Sequence, residues 1–223
     1  MKSIAMVTTV RKNSQRVPNK LLRPFANSNL FNIYLDKLES FKDYVYIVAY
    51  EQEFIDIIHK RGFRFFPRSK ESANGETSPI IHSYLNNMEE EFIYLATCCC
   101  PLMKVHTLKN ILNVVEENYD DPEFNGLITV RPCTNIVWDS NKEIVNRDAG
   151  VFNTKLRKPL YIETSSVIVF RRKKFLERKV YFDFKPRDPE LYVIDQIEAT
   201  DIDTMGDFEI MEIIYNKHKK ELI

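Results

Sequence analysis

The stretch IAMVTTVRKNSQRVPNK, residues 4–20, joins a short apolar run to a loop that carries Arg11, Lys12, Arg16 and Lys20. A short apolar run bounded by polar residues predicts a buried strand, here Ile4 to Val10. Positive charges held this close repel one another unless an anion joins them. Because ligands in open α/β sheets bind beyond the carboxyl ends of strands, the loop predicts an anion site.

The following part of the chain alternates further apolar runs with segments whose apolar residues recur at helical spacing. The predicted strands are Tyr44 to Tyr50, Phe63 to Phe66, Phe92 to Cys98 and Gly126 to Val130. The predicted helices are Leu30 to Phe41, Glu51 to Lys60, Pro79 to Met88, Val105 to Tyr119 and, near the end, Gly206 to Tyr215. This alternation predicts a three-layer α/β domain with a mostly parallel sheet and crossover helices.

Composition narrows the function classes. The 32 basic and 32 acidic residues balance, so no global field indicates a nucleic-acid or membrane-surface partner. No apolar run approaches the roughly 20 residues needed to span a bilayer, and the first residues lead into a strand instead of a secretory signal. We therefore expect a single domain over residues 1–223 and a cytoplasmic location.

The amino-acid composition and the pattern of apolar residues change between residues 131 and 187. A polar stretch around Trp138 to Arg147 precedes a predicted strand, Ser165 to Phe170, and a segment rich in aromatic and charged residues. We interpret residues 131–187 as a small extension of the sheet that forms a lid or a dimer contact. The four cysteines, three of them contiguous at residues 98–100, suit neither a disulfide framework nor paired zinc knuckles, and we predict reduced thiols.

The loop has its own chemistry. It lacks the GxxxxGK[ST] spacing of a P-loop and the GxGxxG spacing of a dinucleotide fold, which argues against a kinase-like NTPase and a dehydrogenase. Phosphates would be held mainly by side chains, because Arg clamps a phosphate through two parallel hydrogen bonds and Lys adds a compact charge. The alternative is a solvated basic loop without a ligand.

A second feature is ATDIDT, residues 199–204, just before the last predicted helix. Strand-like alternation puts Asp201 and Asp203 on one side, roughly 7 Å apart at the backbone, close enough to share a Mg²⁺ ion. The alternative is structural, because Thr204 followed by Asp207 resembles an N-cap and acids near a helix N-terminus are favourable anyway. Both readings stay open at this point.

Taken together, the loop pattern R-x-N-S-x-x-x-P-x-K and the ending D-I-D-T-x-x-D resemble the cytidylyltransferases that make CMP-activated acid sugars, the acylneuraminate (CMP-sialic acid) synthetases. The likeness covers nearly the whole chain. Matching positions are Arg11, Asn13, Ser14, Pro18 and Lys20, then Arg68 and residues 73–78, the strand Leu95 to Leu102 that ends in Pro-Leu, and Asp201 and Asp203. The resemblance implies a Rossmann-like α/β/α nucleotidyltransferase fold, transfer of CMP from CTP to a 2-keto acid sugar such as a sialic acid, release of pyrophosphate, and a homodimer.

The resemblance also implies roles for single residues. Arg11 and Lys20 would be catalytic, holding the triphosphate and stabilising the leaving pyrophosphate. Asp201 and Asp203 would bind the Mg²⁺ cofactor. The nucleotide-binding set would be Arg11, Asn13, Ser14, Lys20, Arg68, Thr77 and Ser78.

The acceptor side departs from the family pattern. Gln15-Arg16-Val17 replaces a small or Gly-rich element and leans toward the related synthetases that activate Kdo. Residues 97–103, TCCCPLM, and residues 163–166, ETSS, replace family acceptor motifs, which leaves Thr97, Lys104 and Glu163 as candidate acceptor ligands. The acceptor could therefore be Kdo or a phosphorylated or phosphonate compound.

Two other functions compete with this interpretation. A nucleotide-sugar glycosyltransferase fits the D-x-D form of residues 201–203, but its motif would follow a mid-chain strand and it would have no use for the early basic loop. A non-catalytic nucleotide-binding relic is the other alternative. Joint retention of Arg11, Lys20, Asp201 and Asp203 argues against such a relic.

Overall fold

A computed structural model gives the structure of residues 2–146, 153, 157 and 159–222. The strands are β1 Ile4–Thr9, β2 Pro24–Phe25, β3 Ser28–Asn29, β4 Val45–Ala49, β5 Arg64–Pro67, β6 Phe92–Ala96, β7 Gly126–Cys133, β8 Leu160–Arg171 and β9 Glu190–Val193. The α-helices are α1 Leu30–Leu38, α2 Gln52–Lys60, α3 Lys70–Asn74, α4 Ser78–Ile81, α5 Val105–Glu117, α6 Arg172–Arg178 and α7 Met205–His218. Within this part of the chain, no helix is long and apolar enough to cross a bilayer.

Seven strands form one sheet in the order β5-β4-β1-β6-β8-β7-β9, and β2 and β3 pair separately. β8 runs antiparallel to β6 and to β7, whereas the other neighbouring pairs are parallel. The chain moves outward from β1 through β4 and β5 and then returns to the opposite side of β1 at β6. This reversal places the switch in strand order at β1, and the prediction of a mostly parallel sheet is confirmed.

Both faces of β1 are buried, which explains its nearly continuous apolar sequence. Ile4 and Met6 belong to a core shared with α1, α2, α5 and α7. Ala5 and Val7 face a second core on the other side, with Phe175 of α6. The alternation of side chains along one strand therefore connects both helical layers to the sheet, as the three-layer prediction requires.

The loop after β1 is anchored by its own apolar residues. Val17 and Leu21 are buried, and the Leu21 carbonyl accepts a hydrogen bond from the Phe31 N–H at 3.1 Å. Asn19 adopts a left-handed conformation, φ 56°, at the bend between the two anchors. These anchors hold the loop backbone, from which Arg11, Lys12 and Arg16 project at the surface.

The second half of the chain differs most from the sequence predictions. The predicted helix Pro79 to Met88 is wrong as one element, because α4 ends at Ile81 and a 3-10 turn follows at Ser83–Asn87. The Ser72 hydroxyl donates to the Ile81 carbonyl at 2.6 Å, which ties down the end of α4. The short elements α3, α6 and β9 were not predicted.

The predicted extension, residues 131–187, overlaps the central sheet. The strand expected at Ser165 to Phe170 is part of the longer β8, and α6 also falls inside the range. Arg147, like residues 148–152, 154–156 and 158, lies outside the described residues. A role for this range as a lid or dimer contact stays a prediction.

Candidate active site

A cleft of about 590 Å³ opens at the carboxyl end of β1. This volume lies within the range of ordinary small-molecule sites. The loop after β1 forms one wall, and the segment from the end of β5 to α4 forms the other. Its cationic lining residues are Arg11, Arg16, Lys20 and Arg68.

The four cations of the loop have different surroundings. Lys12 turns away, because its ammonium pairs with Glu53 of α2 and its N–H donates to Glu51 at 2.8 Å. The Arg16 guanidinium pairs with Asp203 at 2.5 Å. The Lys20 ammonium donates to the Ile202 carbonyl. No hydrogen bond or ion pair engages the Arg11 side chain among the described residues, so Arg11 presents an uncompensated charge to the cleft.

Arg68 enters the cleft from the end of β5 and is only 8% exposed. One terminal nitrogen donates to the Val10 carbonyl at 2.5 Å, but Nε is buried without an acceptor from the part of the chain described here. Burial lowers the pKa of Arg68, and the charge of Arg11 acts in the same direction. A buried N–H without a partner is costly, so an acceptor on a bound ligand would be stabilising here.

In the described structure the lining of the cleft includes neither Asp201 nor Asp203, but both acids lie beside it: Asp203 pairs with Arg16, and the charge of Lys20 acts on Asp201. One carboxylate oxygen of Asp201 is buried and lacks a hydrogen-bond partner within the described residues. Burial raises the pKa of Asp201 to about 6, although the nearby Lys20 ammonium opposes the shift. Two carboxylates with an unsatisfied oxygen suit a hard divalent cation.

The two acids do not form a complete metal site by themselves. Over the described ranges, no group of three or more His, Cys, Asp or Glu side chains is arranged to hold a metal. A cation bound by Asp201 and Asp203 would take its remaining oxygens from water or from the phosphates of a ligand.

The alternative reading of this segment as a helix cap is also visible in the structure. Thr204 and Asp207 form a capping box at the start of α7: the Thr204 hydroxyl accepts from the Asp207 N–H at 3.2 Å, and Asp207 accepts from the Thr204 N–H at 2.7 Å. The Thr204 hydroxyl also donates to the Asp207 carboxylate at 2.8 Å, and this bond, together with the one from the Thr204 backbone N–H, lowers the pKa of Asp207. The cap accounts for Asp207, whereas the carboxylates of Asp201 and Asp203 take no part in it.

Only some of the residues predicted to bind the nucleotide line the cleft. Arg11, Ser14, Lys20 and Arg68 line the cleft. In the described structure the lining does not include Asn13, Thr77 or Ser78, although their neighbours Ser14 and Glu76 belong to it. Thr77 occupies the N-cap position of α4, and Ser78 is the first residue of that helix.

Several polar lining residues have no individual role in the sequence prediction. Gln15, Arg16, Asn74 and Glu76 lie in segments that the sequence analysis noted, whereas Ser72 and Cys99 have no predicted site role. Arg16 could have been found from its charge. Cys99 carries no such signal, because the spacing of the cysteines indicates only reduced thiols. All four cysteines are indeed free, and burial raises the pKa of Cys99, so this thiol is a poor nucleophile.

The three candidate acceptor ligands are spread along the same edge of the sheet. The Thr97 N–H donates to the Ser166 carbonyl at 3.2 Å, which joins the end of β6 to β8. Glu163 is exposed on β8, opposite Val130 of β7. Lys104 forms an ion pair with Glu198 at 3.2 Å, so its ammonium already has a protein partner. Their roles in acceptor binding stay predictions.

A mostly parallel sheet with a basic cleft at its switch point and two carboxylates beside the cleft is typical of α/β proteins that bind nucleotides. A family model described as "Cytidylyltransferase" matches residues 5–221. The chain therefore belongs to the cytidylyltransferase family, and it is a cytidylyltransferase enzyme. This result confirms the family resemblance and decides against the glycosyltransferase alternative.

Similar proteins cover almost the full chain. The CMP-N,N'-diacetyllegionaminic acid synthase of Campylobacter jejuni is 26% identical, over 96% of this chain and 95% of that protein. The post-translational flagellin modification protein B of Campylobacter coli is 23% identical, over 96% and 95%. A solved structure, CMP:2-keto-3-deoxy-manno-octonic acid synthetase complexed with CTP, matches with a TM-score of 0.69 at 10% identity, over 97% of this chain and 100% of the other. This likeness shows a shared nucleotidyltransferase fold.

Proposed function

We propose that the protein transfers CMP from CTP to a small anionic acceptor, a 2-keto acid sugar such as a sialic acid, and releases pyrophosphate. The observation that carries the proposal is the cleft at the end of β1, which Arg11, Lys20 and Arg68 line. Beside it, Asp203 pairs with Arg16 of the same loop, and Asp201 lies within electrostatic reach of Lys20. Family membership makes CTP the expected donor. The name of the Campylobacter jejuni relative supports an acid sugar as the acceptor.

Each residue has a role that follows from its position. Arg11 and Lys20 would bind the triphosphate and neutralise the charge that develops on the leaving pyrophosphate. Arg68, held by the Val10 carbonyl, would face the nucleoside. The reaction depends on alignment of the acceptor oxygen with the α-phosphorus more than on a strong base.

Asp201 and Asp203 would hold the Mg²⁺ cofactor. When bound, the ion would neutralise phosphate charge next to the two carboxylates. Asp203 must first exchange its ion pair with Arg16, which is a surface pair and is therefore weak. Arg16 is then free to turn toward the phosphates.

A homodimer forms part of the proposal. Three large apolar side chains stay exposed on β9 or just after it, at the edge of the sheet, namely Leu191, Val193 and Ile197. An exposed apolar patch at a strand edge is a favourable contact surface for a second copy. The molar mass in solution, measured by light scattering, tests this part, and a monomer at micromolar concentration would refute it.

The donor can be tested without knowing the acceptor. A ligand that binds only the folded state raises the unfolding midpoint with the logarithm of its excess over Kd. We expect CTP with Mg²⁺ to raise the midpoint more than ATP, GTP or UTP, and more than CTP alone. No response to any nucleotide would overturn the proposal. Pyrophosphate release with sialic acids, Kdo and phosphorylated compounds would then identify the acceptor.

A further inference from the structure

A lysine of α1, Lys37, is buried in the core with 2% exposure. Its ammonium nitrogen donates to the Met103 carbonyl at 2.6 Å and also to the Pro101 carbonyl. Lysine is almost never fully buried unless it has partners, because loss of hydration is costly. Both partners here are backbone oxygens of the turn after β6, residues 97–104, which we call the β6 turn.

The buried environment of Lys37 favours the neutral amine, which can still donate both hydrogen bonds. Burial lowers the pKa of Lys37 to about 7, against the opposing influence of Cys100 and Glu198. A neutral amine still has two N–H groups, one for each carbonyl. The contact with the β6 turn therefore survives the loss of the charge.

The β6 turn in turn holds the segment that carries the acidic pair. The backbone N–H of Lys104 donates to Glu198 at 3.0 Å, and its ammonium pairs with the same carboxylate. The Ile202 N–H donates to the Cys99 carbonyl at 3.0 Å. Asp201 thus lies between two points, residues 198 and 202, that are both fixed to the β6 turn.

We propose that Lys37 is a positioning residue that fixes the β6 turn and, through it, the Asp201 carboxylate for the metal. This inference rests on the metal role assigned to Asp201 in the proposed function. Lys37 itself does not line the cleft described above. Its effect reaches the site through the turn backbone and through Glu198.

The test variant is Lys37→Met, which keeps an unbranched side chain of similar length and removes the donors. The matched control is Lys42→Met, because Lys42 lies just after α1, is partly exposed and pairs with Glu39 at the surface. The measurements are the stabilisation by CTP alone and the Mg²⁺ concentration that gives half of the additional stabilisation by CTP with Mg²⁺.

We expect Lys37→Met to raise the Mg²⁺ requirement at least tenfold and to change the stabilisation by CTP alone less than twofold, since Arg11 and Arg68 are untouched. The rate at which a thiol reagent modifies Cys99 should also rise about tenfold, because the β6 turn is released. The control should match the unmodified protein in all three measurements.

An unchanged Mg²⁺ requirement in folded Lys37→Met would overturn the inference and leave the proposed function standing. A protein whose stability never responds to Mg²⁺ would instead remove the metal role and the inference together. If Lys37→Met does not fold, Glu198→Gln tests the next link, the ion pair that joins Lys104 of the β6 turn to the segment carrying Asp201. An unchanged Mg²⁺ requirement in Glu198→Gln would likewise overturn the inference.

Discussion

The turns that leave β1 and β6 begin on neighbouring strands at one edge of the sheet, yet they differ in the exposure of their charged groups. The turn after β1 keeps its cations near the surface, and the side chain of Arg16 is 66% exposed. The β6 turn is held by Lys37 of α1, which is buried and donates hydrogen bonds to two of its carbonyl oxygens. One turn presents charge to a ligand, and the other uses a buried amine to fix its backbone.

The difference follows from the cost of desolvation. A cation that must bind a phosphate stays hydrated until the ligand arrives, and it should not be tied to a strong protein partner beforehand. A buried amine has no such freedom, because its N–H groups need acceptors inside the protein. Accessible charges with few partners therefore indicate binding, whereas buried and satisfied ones indicate positioning.

The largest expected effect comes from the turn that presents charge. If Lys20 stabilises the leaving pyrophosphate, Lys20→Ala should lower turnover by roughly 100-fold or more, the scale of other electrostatic stabilisers. The measurement is pyrophosphate release with an active acceptor. Lys12→Ala is the control, since Lys12 pairs with Glu53 outside the cleft, and its turnover should stay within about twofold of normal. Near-normal turnover of Lys20→Ala would remove Lys20 from the mechanism.

A smaller effect is expected from substitution of the acidic pair, Asp201 and Asp203, which lies close to residues of both turns. Asp203→Asn removes one of two predicted metal carboxylates and should raise the Mg²⁺ requirement of CTP stabilisation by about tenfold, or roughly 1.4 kcal/mol. Glu209→Gln on the exposed face of α7 removes the same charge nearby and should leave the requirement unchanged. If both variants titrate alike, Asp203 only contributes to the local field.

The smallest effect is a pH dependence. Burial raises the pKa of Asp201 from its ordinary 3.8 to about 6, so the folded state keeps this proton at a higher pH than the unfolded chain does. The stability that the carboxyl contributes is therefore lost as the pH rises through this window. A proton also competes with a cation, so the apparent Mg²⁺ affinity should be about twofold lower at pH 6 than at pH 7.5.

Thermal shifts with CTP across a Mg²⁺ series at the two pH values measure this effect. Asp201→Asn should abolish the dependence and, without ligands, should be more stable than the unmodified protein at pH 7.5. A twofold change that persists in Asp201→Asn would assign the proton to another group.

The main outline of this protein can be predicted from short segments of its sequence. The apolar run of β1 predicts a strand that is buried on both faces. The helical spacing of apolar residues in Leu30 to Phe41 and Glu51 to Lys60 predicts helices. The residues of the basic loop and Asp201-Ile202-Asp203 identify the family because their chemistry is concentrated in short segments. Local patterns of this kind predict which faces of each segment are buried.

Which polar groups meet depends on long-range packing. The sequence gives equal weight to Lys12 and Arg16, but packing turns Lys12 toward Glu53 and Arg16 toward Asp203. Lys37 contacts carbonyls 64 and 66 residues away, and Lys20 contacts one that is 182 residues away. Periodicity carries no information about partners at such separations. The chain path through the sheet brings them together, and the desolvation of each polar group then determines whether it binds a ligand or positions the backbone.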